Sequence, residues 1–145
     1  MRFRESDTVV PGADVVTVET PLARFGLSIC YDLRFGELYR RLAAEGATVL
    51  TVPSAFTLTT GKDHWHVLLR ARAIETQCWV VAPAQTGRHD DNGLRESYGH
   101  ALICDPWGTV VAEAPDGPGL ALAEIDLDRV TRVRAGLPVQ GHRRL

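Results

Sequence analysis

The stretch "GLSICYDLRF", Gly26 to Phe35, joins an apolar run to a charged cluster and places a cysteine at the junction. Residues 25–31, "FGLSICY", have the apolar content of a buried strand. Residues 36–46, "GELYRRLAAEG", set Leu38 one turn from Leu42 with Tyr39 and Ala43 beside them, and Gly46 stands where a helix would end. Cys30 therefore falls at the C-terminal edge of a strand, the edge at which α/β sheets place ligands. Residue type alone leaves two readings. A free cysteine behaves as a small buried hydrophobe; one held up at a strand end is a nucleophile.

Upstream of this stretch, "VVTVE" (residues 15–19) alternates like a half-buried strand and "PLAR" turns it back into a hairpin. Downstream, "ATVLTVP" is a buried strand stopped by Pro53, and "KDHWHVLLRARAIETQ" is a longer helix with Asp63 near its start. "CWVVAPAQ" is a further strand and "GRHDDNGLRES" an exposed loop. "YGHALICDPWGTVVAEA" holds two strands joined at Asp105-Pro106-Trp107-Gly108, where Pro fixes φ and Gly permits a positive φ. "GLALAEIDL" is predicted as a last strand, "DRVTRVRAG" as a short helix, and "LPVQGHRRL" as an extended basic tail. This order predicts an α/β fold, a mixed sheet with helices on one face, whose other face needs a cover such as a second sheet.

The chain has 145 residues, enough for one domain with a core, and 45% of them are hydrophobic and 23% charged. A net charge of −2 and an isoelectric point near 6.2 give no footprint for nucleic acid or an anionic membrane. No run approaches the roughly 18 apolar residues that span a bilayer, and the charged N-terminus has no signal-peptide core. Cys30, Cys78 and Cys104 are odd in number and widely spaced, with no C-x-x-C pair. A reducing, cytoplasmic setting without a metal or cofactor is therefore expected.

Three segments in order, "GLSICYDLRFGELYRRLAAEGATVLTVPSAF", "HWHVLLRARAIETQCWVVAPAQTGRH" and "YGHALICDPWGTVVAEA", resemble the C-terminal half of the nitrilase superfamily, the carbon-nitrogen hydrolases, and within it the Nit-type amidases. The resemblance covers essentially the whole chain. It implies that residues 1–145 are part of one αββα sandwich domain whose upstream half is missing. It also implies a homo-oligomer formed through the helix containing Trp65 to Glu75 and the C-terminal tail. The implied activity is hydrolysis of a small linear amide by way of a thioester, with Cys30 as nucleophile.

The same resemblance places Glu5 at a supporting carboxylate position and finds neither the family's upstream glutamate base nor its lysine; Lys62, the only lysine, lies downstream of Cys30 and does not match. The Tyr31 backbone N–H is the implied oxyanion donor. Arg34 is a candidate for binding a substrate carboxylate, or pairs structurally with Asp32 or Glu37. Phe56, with Tyr31 and Trp65, is a candidate for the pocket wall, or fills the core. Arg72 and Glu75 have the spacing of a solvated helix face. His100 reads as a satisfied core or interface histidine, with a Cys-His pair as the weaker alternative, and His66 stands where relatives commonly carry Glu. The alternative to an amidase is an inactive, truncated subunit kept as a scaffold, which would expose an apolar sheet face.

Overall fold

The computed structural model describes residues 8–89 and 95–144. Thr17–Glu19 (β1) pairs antiparallel with Arg24–Leu27 (β2), and Thr20 holds the turn, its hydroxyl donating to the Ala23 carbonyl at 2.7 Å. A 3-10 turn, Cys30–Arg34, leads into Gly36–Ala44 (α1), and the chain returns as Val49–Thr51 (β3), parallel to β2. A second crossover, Leu58–Thr76 (α2), leads to Trp79–Ala82 (β4), parallel to β3. Thr86–Arg88 (β5) and Glu96–Tyr98 (β6) form a separate antiparallel pair, so the ends of the expected loop are a small hairpin. Leu102–Cys104 (β7) and Val110–Glu113 (β8) complete a mixed sheet of order β1-β2-β3-β4-β7-β8.

The pleat sorts side chains onto two faces. Leu50, Val80, Ala82, Leu102 and Cys104 point toward α1 and α2 and join Tyr39, Leu42, Trp65 and Leu69 in one core. Gly26 belongs to this face because a Cβ there would stand 2.8 Å from Leu50 Cδ2 and 3.1 Å from Leu42 Cβ. Val49, Trp79 and Ile103 point the other way, toward Val130. That valine belongs to Leu127–Gly136 (α3), so the helices predicted for one face are α1 and α2, and α3 closes part of the second.

Several boundaries differ from the sequence reading. Helix α2 begins at Leu58, where the Thr57 hydroxyl accepts from the Thr60 N–H at 3.4 Å, so Lys62 and Asp63 lie inside the helix. Residues 119–126 form no strand and join no ladder among the described residues. Ala123 and Ile125 pack on the second core instead, and Leu120 and Leu122 stay exposed. The tail contains one helical turn, Val139–His142 (α4), rather than extended chain throughout. The predicted turn at Asp105 is present: its buried carboxylate accepts from the Trp107 and Thr109 N–H groups, both at 2.9 Å, and Gly108 has φ of +84°. No helix among the described residues is long and apolar enough to cross a membrane.

Candidate functional site

β2, β3 and β4 run parallel, and their C-terminal ends open on one side of the sheet. Past those ends the three chains stay zipped together. The Ser28 N–H donates to the Thr51 carbonyl and the Cys30 N–H to that of Pro53, at 3.2 and 2.9 Å; the Ser54 N–H donates to the Pro83 carbonyl, and the Gln85 N–H returns to that of Ser54. The result is an open hollow of about 480 Å³ lined by Ile29, Cys30, Pro53, Ser54, Ala55, Pro83, Ala84 and Gln85.

Cys30 is not the last residue of a strand. It is the first of the 3-10 turn, with φ of +47°, a left-handed conformation that side chains adopt at a cost. The surrounding bonds over-determine it. Asp32 Oδ2 accepts from the Ile29 N–H at 2.8 Å, and Ser28 Oγ bonds both the Thr51 carbonyl and Tyr39 Oη. Burial pushes the Tyr39 phenol up to about 12, against the Ser28 hydrogen bond, so this support stays neutral at ordinary pH. The thiol is left half-buried in the hollow, and among the described lining residues it is the one ionisable group. An isolated thiol is a weak nucleophile, and the described lining residues place no base beside Cys30.

Tyr31 follows in the turn with its side chain largely exposed. The Arg34 guanidinium lies over the rings of both Tyr31 and Phe56, at 5.3 and 5.2 Å, and meets His64 Nδ1 at 3.3 Å. No carboxylate among the described residues pairs with Arg34, and Asp32 is engaged in the turn, so the structural pairing considered for Arg34 does not form. Phe56 is buried against Trp65, 5.0 Å between centroids; neither it nor Arg34 lines the hollow around Cys30. Arg72, expected on a solvated face, is buried, and both its Nε and Nη2 donate to the Leu33 carbonyl in the turn. Glu5 lies outside the described residues.

The remaining cysteines are core residues. Burial raises the Cys78 thiol and pushes that of Cys104 up to about 12. His100 does not pair with Cys30. Its Nδ1 meets Glu113 Oε1 at 2.7 Å and its Nε2 meets Asp116 Oδ1 at 3.3 Å, while His66 Nε2 reaches the same Glu113 oxygen at 3.0 Å. Burial acts to raise Glu113, but the bonds to His66 and His100 outweigh it and hold the carboxyl below its ordinary value. No sequence signal announces this convergence, because His66, His100 and Glu113 are far apart in the chain and share no short motif.

The family model described as "Carbon-nitrogen hydrolase" matches residues 1–135. The chain is 56% identical over 143 residues to the deaminated glutathione amidase of Bos taurus, covering 98% of this chain and 43% of that protein. It is also similar to the crystal structure of the C. elegans NitFhit protein, at 51% identity and a TM-score of 0.94, over 99% of this chain and 35% of that one. An amidase from Nesterenkonia sp. AN1, solved after Michael addition of acrylamide at its active-site cysteine, matches at 27% identity and a TM-score of 0.74, over 94% of this chain and 53% of its own. The chain thus spans about half or less of the length of these three proteins.

Proposed function

This chain belongs to the carbon-nitrogen hydrolase family, and on that premise we propose that it carries the nucleophile of an amidase acting on a small linear amide. The observation that supports the reading is Cys30 at φ of +47°, half-buried in a hollow at the C-terminal ends of three parallel strands. The Cys30 thiolate attacks the amide carbon, the amine leaves on taking a proton, and water cleaves the thioester to a carboxylic acid and the free thiol. The Tyr31 N–H stabilises the oxyanion formed in each addition. The Arg34 guanidinium, lying over the rings of Tyr31 and Phe56, offers its fork to a substrate carboxylate.

The described lining of the hollow supplies no base. In this proposal Glu5 steadies the site, and a further glutamate and a lysine come from polypeptide outside this sequence, consistent with the greater length of the relatives. The sheet face opposite α1 and α2 is where that polypeptide would pack, and a second copy would dock on α2, whose Val67 and Ile74 are exposed. The mammalian and cyanobacterial relatives named deaminated glutathione amidase make a deaminated peptide the first substrate to offer, with an ω-amide of a 2-oxo dicarboxylate as the second.

The test is amide hydrolysis by the assembly in which this chain naturally occurs, read as released amine and as an acyl adduct by intact mass. Turnover with an adduct on Cys30, lost in Cys30→Ala, supports the proposal. Turnover that survives Cys30→Ala sinks the nucleophile assignment, and a folded assembly with neither turnover nor adduct favours the scaffold reading.

A further inference from the structure

Among the described residues one group of three metal-ligating side chains converges: His66 from α2, His100 from the residue pair before β7, and Glu113 from the end of β8. Their donor atoms lie within 4.8 Å of one another. His100 is presented by a backbone at φ of +56°, its ring lies 4.3 Å from that of Tyr98, and its carbonyl accepts from Trp65 Nε1 at 2.7 Å. The Trp65 bond thus fixes the His100 backbone, and the Tyr98 ring packs against its imidazole.

The convergence of three donor atoms carries the inference, and the two carboxylates around His100 call for positive charge there, either on the imidazole or on a bound metal ion. A neutral imidazole has one N–H and one lone pair, and a carboxylate only accepts. Yet Nδ1 faces Glu113 at 2.7 Å and Nε2 faces Asp116 at 3.3 Å, so a neutral His100 satisfies one carboxylate and turns a lone pair toward the other. His66 brings a second imidazole nitrogen to the same Glu113 oxygen. A divalent cation between His66 Nε2, His100 Nδ1 and Glu113 Oε1 resolves the conflict. The Nδ1 lone pair becomes a ligand, the Nε2 N–H donates to the Asp116 carboxylate, and two carboxylate charges gain a counter-ion.

We propose that His66, His100 and Glu113 form a binding site for a zinc-like divalent metal, with Asp116 orienting His100 from behind. Two imidazoles and one carboxylate suit zinc, and three protein ligands leave a fourth position to water. Tetrahedral ligands at zinc distances stand about 3.3 Å apart, so the pairs now at 2.7 and 3.0 Å need to open by a few tenths of an ångström, and the two imidazole nitrogens, within 4.8 Å of each other, need to close by at most about 1.5 Å. The side chains are 23 to 35% exposed, enough for an ion to enter. An Asp-His-metal relay is the usual second layer of such sites. The metal would tie α2 to the β7–β8 hairpin, a role separate from the chemistry at Cys30.

The test is titration of the purified protein, in the assembly it forms, with Zn²⁺ against a chromophoric chelator, and with Co²⁺ read by its visible absorption. The expected result is one equivalent per chain, lost in His66→Ala and His100→Ala and weakened about 10-fold or more in Asp116→Asn. Glu113→Gln, which keeps an acceptor for both histidines, separates loss of a ligand from loss of fold, with circular dichroism on every variant. Absence of binding by the folded protein overturns the site and leaves a protonated His100 as the bridge. So does binding that survives His66→Ala, or that vanishes in Cys30→Ala with a thiolate-to-cobalt charge-transfer band.

Discussion

Arg72 Nε and Nη2 both donate to the Leu33 carbonyl, at 3.0 and 2.8 Å, which fastens α2 to the turn that presents Cys30. The guanidinium is buried, lies 5.4 Å from the centre of the Tyr39 ring and meets Glu75 at 3.1 Å. Arg72→Ala removes the donors and leaves a buried carbonyl with no partner, along with the lost packing of the side-chain stem. We expect a loss of about 3 kcal/mol, the scale of breaking a buried charged contact, measured by urea unfolding. Arg72→Lys restores the charge without the fork and should recover less than half of the loss.

The three thiols should separate cleanly under alkylation. Cys30 is half-buried at the hollow, whereas Cys78 and Cys104 are fully buried and their thiols are raised by desolvation, that of Cys104 to about 12. Only thiolate reacts. Iodoacetamide at neutral pH, followed by peptide mapping, should label Cys30 at least about tenfold faster than either of the others. Equal labelling of the folded protein would contradict the buried placement of β7 and of the residue before β4.

Much of this arrangement was open to sequence reading, for a physical reason. Strands and helices leave periods of 2 and 3.6, and Leu50, Val80, Leu42 and Leu69 obey them because each must reach a core. What escaped was long-range or conformational. The left-handed backbone at Cys30 has no signature, since glycine and asparagine are the residues that usually announce it. Arg72 has the charge and spacing of an exposed helix residue, and only the Leu33 carbonyl across the core explains its burial. The convergence of His66 and His100 on Glu113 joins three elements far apart in the chain, and no short motif connects them.

Asp126 gives a stability effect with a definite sign. Its Oδ2 accepts from Arg132 at 2.6 Å and its Oδ1 from the Asp128 and Arg129 N–H groups at the start of α3. The Arg132 hydrogen bond, chiefly, lowers the carboxyl from its ordinary 3.8. The folded state then binds fewer protons than the unfolded chain, so this stabilisation is complete above the ordinary value and fades as pH falls through the lowered one. Asp126→Asn should flatten the fall of the urea midpoint below about pH 5. The difference between the two proteins should shrink in high salt, because the carboxylate is open to solvent.

Gly61 reverses the usual rule for a helix interior. It lies in the first turns of α2, where alanine is ordinarily favoured by up to about 1 kcal/mol. A Cβ at this position would overlap the Cβ and Cγ of Tyr98 and stand 2.8 Å from its Cδ1. Tyr98 cannot withdraw freely: its N–H donates to the Phe56 carbonyl at 2.9 Å, and β6 is paired to β5. Overpacking of this kind costs about 1–3 kcal/mol, which exceeds the gain in helix propensity. Gly61→Ala should therefore lower the thermal midpoint. Gly61→Ala combined with Tyr98→Gly, which removes the Cβ as well as the ring, should recover most of the clash while losing the ring that stacks on His100, so the pair of variants tests whether the close approach of α2 and β6 sets the cost. Additive losses in the double variant would show that the helix and the hairpin do not meet where the structure places them.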